Sequence, residues 1–272
     1  MKALVLLLVA AAPALSAQQK TRVGAEACAA CHEDMAKAAK RSVHTECEAC
    51  HGPGSVHAEN PSKQNIIAFQ TEAASLRSGQ CLACHGQARS MHNFRRSEHS
   101  TRQVSCDQCH SKGVAPAFHR LRAAADTLKG REPELCYTCH GEQRAAFSLP
   151  FHHPVKSGSM ACSGCHAPHG EYTLRQARTR HNDAVCASCH EEKAGPFVYE
   201  HGAVRSQGCS GCHQPHGSAN PRMLTRPQVQ FLCLECHTRT PRSHDLAQTR
   251  YRNCTVCHSQ IHGSNLSRLL LE

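Results

Sequence analysis

Ten Cys-x-x-Cys-His pentapeptides, a total of twenty cysteines that they consume completely, and an aromatic content of 4% predict a multihaem c-type fold. Its expected form is short α-helices and loops wrapped around a chain of ten haems, with little regular secondary structure. Cys-x-x-Cys-His is the attachment sequence of a c-type haem. Two thiols add across the haem vinyl groups, and the histidine binds the iron from one face. Zinc ribbons also use Cys-x-x-Cys pairs, and so do redox disulfides, but neither requires a histidine after every second cysteine.

The attachment cysteines are Cys28, Cys31, Cys47, Cys50, Cys81, Cys84, Cys106, Cys109, Cys136 and Cys139 in the first five motifs. Cys162, Cys165, Cys186, Cys189, Cys209, Cys212, Cys233, Cys236, Cys254 and Cys257 form the second five. The iron ligands that follow them are His32, His51, His85, His110, His140, His166, His190, His213, His237 and His258.

Composition points the same way. The chain has 272 residues and no Trp, which leaves about 25 mature residues per haem. At that ratio the porphyrins form the core and the polypeptide is a thin wrapping. The formal charge of +10 would suit an anionic partner. Ten haems bring about −20 in propionates, however, so the holoprotein falls near −10 and the scattered basic residues offset propionates. No nucleic-acid motif is present, and nucleic acid is not an expected partner.

In chain order, residues 1–17 read as a secretory signal. Lys2 precedes an apolar run from Ala3 to Ala12, and Ala14-Leu15-Ser16-Ala17 is a small-residue end. Export fits covalent haem attachment, and nothing after residue 20 approaches a transmembrane length. The expected location is the periplasm. Glu33 to Arg41, Thr71 to Leu76 and Leu121 to Leu128 are short helical candidates. Elsewhere Gly, Pro, Ser and His recur every few residues and predict turns, with strands no longer than short pairs.

A repeat is visible in the second half. Cys162 to Cys209, Cys186 to Cys233 and His169 to His216 are each 47 residues apart. Motif starts in the first half are looser, at 19, 34, 25 and 30 residues. Five motifs precede residue 141 and five follow residue 161. We expect two pentahaem halves, 18–145 and 146–272, forming one continuous body.

Of 23 histidines, ten follow the cysteine pairs and thirteen remain. Five methionines, one of them the initiator, cannot serve ten irons, so the arithmetic favours two histidines at every iron and no vacant position for substrate. His44, His99, His153 and His201 precede cysteine pairs, while His57, His119, His169, His216, His244 and His262 follow them. These ten are the candidate distal ligands. His92 competes with His99, His152 competes with His153, and His181 reads as a surface residue.

Spacing excludes some pairings. Trans axial histidines need Cα atoms roughly 12 Å apart, and three residues reach at most ~10 Å. His169 therefore cannot close on the haem of His166, nor His216 on that of His213. Each should ligate a neighbouring haem, and His262 is marginal against His258.

The run Cys186-Ala187-Ser188-Cys189-His190-Glu191-Glu192-Lys193-Ala194-Gly195-Pro196, with Glu200-His201 and Cys209-Ser210-Gly211-Cys212-His213-Gln214-Pro215-His216-Gly217, resembles the MtrA/DmsE/PioA family of periplasmic decahaem cytochromes. Cys47-Glu48-Ala49-Cys50-His51-Gly52-Pro53 and the tail Cys257-His258-Ser259-Gln260-Ile261-His262-Gly263-Ser264-Asn265 do so too. The resemblance implies ten bis-histidine haems, with distal ligands mapping onto the ten candidates. His119 is the weakest mapping, because the segment between Cys109 and His119 is longer than the family's usual spacing.

The resemblance also implies an electron wire seated partly in an outer-membrane β-barrel porin. Its donor would be a periplasmic or inner-membrane cytochrome, and its outer partner a surface multihaem cytochrome or reductase. A haem chain without a hydrophobic span crosses a bilayer only inside a closed barrel. Two other readings compete with this one. A soluble periplasmic shuttle or store would carry no barrel. A multihaem oxidoreductase needs an open iron, often signalled by an altered motif such as Cys-x-x-Cys-Lys, and none occurs, so the chain is not read as an enzyme.

Overall fold

In the computed structural model the described residues are 19–40, 42–110, 128–171 and 183–271. The expected signal segment, His119 and His181 lie outside them, as does nearly all of the helical candidate at residues 121–128. The backbone divides into two compact units, split between Gln80 and Cys81. The first carries the motifs at Cys28 and Cys47, and the second carries the other eight. Grouping by backbone contact is therefore not the grouping into haem halves.

Short helices and loops make up both units. Helix Glu33–Ala39 occupies most of its expected span, with an exposed Glu33–Lys37 ion pair one turn apart. The candidate at residues 71–76 differs from its expectation. The helix there starts later and runs further, Ala74–His85, straight through the Cys81 motif. Ala, Leu, Arg and Gln favour the helix, and Ser78 and Leu82, four residues apart, are both buried. That is the longest helix among the described residues. The only described strand pair is β1 (Tyr199–Glu200) against β2 (Gly263–Ser264), two antiparallel residues each. No described helix is long and apolar enough to cross a membrane.

All ten motifs place their first cysteine in a helical turn. Helix Cys47–His51 contains a whole motif, and the Cys162, Cys209 and Cys254 motifs open tight three-residue turns. At eight sites the histidine N–H donates to the carbonyl of the first cysteine, as His32 does to Cys28 (2.9 Å) and His213 to Cys209 (3.0 Å). A helical turn puts positions i, i+3 and i+4 on one face. Both thiols and the imidazole of one motif thus address the same side.

Little apolar mass is buried. The described core is Ala38 and Ala39 in the first unit, and Leu82, Phe94, Phe147 and Val155 in the second. Phe94 and Phe147 pack their rings against His169 (6.3 Å) and His216 (5.4 Å), so even this core surrounds candidate ligands. Phe231, Val256 and Leu269 stand exposed beside the Cys233 and Cys254 motifs.

One polar anchor organises the first unit. Buried Glu48 accepts the N–H groups of Val23 (3.0 Å), Gly24 (3.0 Å) and Gly54 (2.8 Å). Burial pulls its carboxyl pKa up, but these donors outweigh burial and hold it below the ordinary range. We expect Glu48→Ala to cost about 1–3 kcal/mol locally, the usual worth of hydrogen bonds to a charged group. Amide exchange at Val23, Gly24 and Gly54 should accelerate, while exchange in the second unit should not change.

Candidate functional site

The twenty cysteines are all free, and most consecutive motifs bring theirs together. First cysteines meet in four pairs: Cys28 with Cys47, Cys136 with Cys162, Cys186 with Cys209, and Cys233 with Cys254. Second cysteines approach the neighbouring motif in the intervening steps: Cys109 nears Cys139, Cys165 nears Cys186 and Cys189, and Cys212 nears Cys236. From the Cys106 motif to the Cys254 motif each motif therefore adjoins the next through its cysteines.

Burial dominates the thiol chemistry. It pushes Cys136 up to about 12, helped by Cys162, and Cys233 up to about 11, helped by Cys254. A hydrogen bond from Cys209 lowers Cys186 to about 7 and raises Cys209 itself. Glu132 and Asp183 each lie within 4.8 Å of a first-cysteine pair. Each carboxylate caps the following motif: Glu132 accepts Ser163 N–H (2.9 Å) and Asp183 accepts Cys209 N–H (2.8 Å). These two sets offer donors that soft metals accept, but thioether formation to haem would consume their thiols.

Eight attachment histidines face eight distal candidates. Ring centroids are 6.2 Å apart for His32 and His57, 5.9 Å for His110 and His169, and 6.2 Å for His140 and His99. The distances are 5.9 Å for His166 and His216, 6.4 Å for His190 and His153, and 6.3 Å for His213 and His262. His237 and His201, like His258 and His244, are 6.2 Å apart. Two metal–nitrogen bonds of about 2.0 Å and two ring radii of about 1.1 Å put trans imidazole centroids about 6.2 Å apart. The rings stand at the separation an iron needs. Between His201 and His237 lies a cavity of about 300 Å³, also lined by Gly202, Ala203, Ser206, Gln207 and Cys236. The donor set fits haem c.

Local chain geometry orients these rings. Nδ1–H donates to a backbone carbonyl in His57 (Ser62, 2.9 Å), His99 (Pro168, 3.1 Å) and His153 (Pro215, 2.7 Å). His51 (Ile67, 2.9 Å), His213 (Arg222, 2.8 Å) and His258 (Leu269, 2.7 Å) do likewise, and the His201 ring hydrogen-bonds the Ile261 backbone. A committed Nδ1–H leaves Nε2 with its lone pair for a metal. Burial, and then the facing histidine, lowers the pKa values of His169, His216 and His262; burial and then His140 lower that of His166, and burial also lowers that of His201. The neutral form that ligates iron is thereby favoured.

The histidines left open by the sequence separate here. His153 faces His190, whereas His152 turns Nδ1 to the His153 carbonyl (2.8 Å). His99 faces His140, and His92 is exposed. His169 and His216 face histidines two motifs back rather than those beside them. Attachment residues His51 and His85 and candidate His44 have contacts beyond these eight pairs, and candidate His119 lies outside the described residues. Sequence reasoning missed the residues that hold the ligands: Glu132, Asp183, and the carbonyls of Pro168, Pro215 and Ile261. The glycine after His169, His216 and His262 was the available signal.

The doubled CXXCH motif family model matches residues 152–195 and 201–242, each match spanning two attachment motifs. The chain is 33% identical over 273 residues to a multiheme cytochrome MtrA of Shewanella baltica (strain OS185), covering 89% of this chain and 79% of that protein.

Proposed function

The chain belongs to the MtrA family of multihaem c-type cytochromes, and on that premise we propose that it is a ten-haem electron wire between periplasmic carriers and the cell surface, working inside an outer-membrane porin–cytochrome complex. It binds haem c covalently and takes part in electron transport. Haem c supplies a one-electron iron couple. The residues of this chain supply attachment, ligation, spacing and electrostatics.

The observation that carries the reading is the alternate meeting of cysteines in consecutive motifs, Cys109 with Cys139, Cys136 with Cys162, and so on to Cys233 with Cys254. Cofactors held by adjoining cysteines stand next to one another in chain order, the arrangement of a wire. Twenty histidines in trans pairs would fill both axial positions at ten irons. That leaves no site for a substrate and argues for a carrier rather than an enzyme. The ligands are the ten attachment histidines with His44, His57, His99, His119, His153, His169, His201, His216, His244 and His262. Each haem propionate pair meets a basic chain, net +10 before haem, which lowers the cost of packing like charges closely. The five-and-five division of haems at residues 145/146 belongs to this proposal, as does export by residues 1–17.

Fractionation of native cells tests it. The holoprotein should purify from outer membranes with a barrel protein, and the purified complex should pass electrons into sealed liposomes. Recovery wholly from the soluble periplasmic fraction, with no barrel, would support a soluble shuttle instead.

A further inference from the structure

Three turns hold equivalent places: Pro168-His169-Gly170, Pro215-His216-Gly217 and Ile261-His262-Gly263. In each, the central histidine faces one attachment histidine: His110, His166 or His213. The residue just before it holds another distal candidate through its backbone: the Pro168 and Pro215 carbonyls accept Nδ1–H from His99 and His153, and Ile261 hydrogen-bonds the His201 ring. Those three face the attachment histidines of the next motif, His140, His190 and His237. We propose that each turn is a two-haem clamp, supplying the ligand of one haem while its preceding carbonyl locks the ligand of the haem that follows in sequence. The proposal rests on the bis-histidine reading above and adds that neighbouring irons are coordinated interdependently.

Backbone pairing explains how the clamp is built. Phe151, two residues before His153, pairs with Ser218, two residues after His216. Tyr199, two before His201, pairs with Ser264, two after His262. The register is the same in both. The following glycine is needed because the turn is pressed onto the upstream segment. A Cβ at Gly217 would run into the Ala146 carbonyl, and one at Gly263 into the Phe197 ring. At Gly170 it would stand 2.8 Å from Ser97 Cβ. All three also have positive φ, at 78°, 153° and 156°. Any side chain there lifts the turn, withdrawing a ligand and a carbonyl together.

The third turn offers the cleanest test, because a side chain rather than backbone obstructs Gly263. Fully reduced holoprotein is titrated with carbon monoxide, which binds one equivalent per haem lacking an axial ligand. Wild type should bind none, His262→Ala one, His201→Ala one and Gly263→Ala two. Adding Gly263→Ala to the His201→Ala/His262→Ala double variant should leave the count at two. Removing the obstruction with Phe197→Gly should lower the count that Gly263→Ala gives, with the strain of its φ remaining.

Low-spin electron paramagnetic resonance of the other haems should be unchanged in Gly263→Ala, which a general loss of structure would not allow. If His262→Ala opens one haem and Gly263→Ala opens one or none, the clamp is wrong. If His262→Ala itself opens none, the ligand reading fails instead. Should Gly263→Ala not mature, Gly170→Ala against His169→Ala reads the same two-to-one count at a milder obstruction.

Discussion

Made without haem attachment, the chain is expected to show no cooperative thermal transition and to be digested by trypsin at least ~100-fold faster than the holoprotein, the factor that ~3 kcal/mol of folding free energy confers. The reason is a shortage of apolar contacts. Six apolar residues are buried among those described, two of them alanines. The longest described helix has 12 residues and most have four to seven. Isolated helices below about 12–15 residues are marginal in water, and a two-residue strand pair adds little. The rings that could pack, Phe94 and Phe147, lie on histidines that face other histidines across a gap. Calorimetry and timed proteolysis of protein from a host without cytochrome c maturation test this. A sharp unfolding transition would show that the polypeptide has a core of its own.

Deleting one interior haem should separate a wire from a store. Cys186→Ala with Cys189→Ala removes the haem whose cysteines meet Cys209 on one side and Cys165 on the other. The motifs at Cys162 and Cys209 then no longer have a common neighbour between them. Electron capacity at equilibrium should fall by only about one-tenth, while end-to-end transfer across liposomes falls by orders of magnitude. A soluble store would lose about one-tenth in both. Removing the terminal haem, with Cys254→Ala and Cys257→Ala, breaks no interior junction and serves as the control for maturation. Equal rates in the interior variant and wild type would defeat the wire.

The sequence by itself determined where the haem-attachment motifs lie, because such a motif is local. Two thiols and an imidazole at i, i+3 and i+4 share a face in one helical turn, whatever surrounds them. It also determined that His169 and His216 could not serve the nearest iron, because chain reach alone decides that. Tertiary structure decided which distant histidine meets which. His32 finds His57 across 25 residues and His110 finds His169 across 59, and no periodic pattern encodes such loops. The choice of His153 over His152 turned on one carbonyl, that of Pro215, 62 residues away. Helix Ala74–His85 outran its expected end because buried Leu82 rewarded continuation through the motif. The clamps were half legible. The glycine after each histidine could be read in the sequence, but its purpose depends on an upstream segment brought against it only when the chain folds.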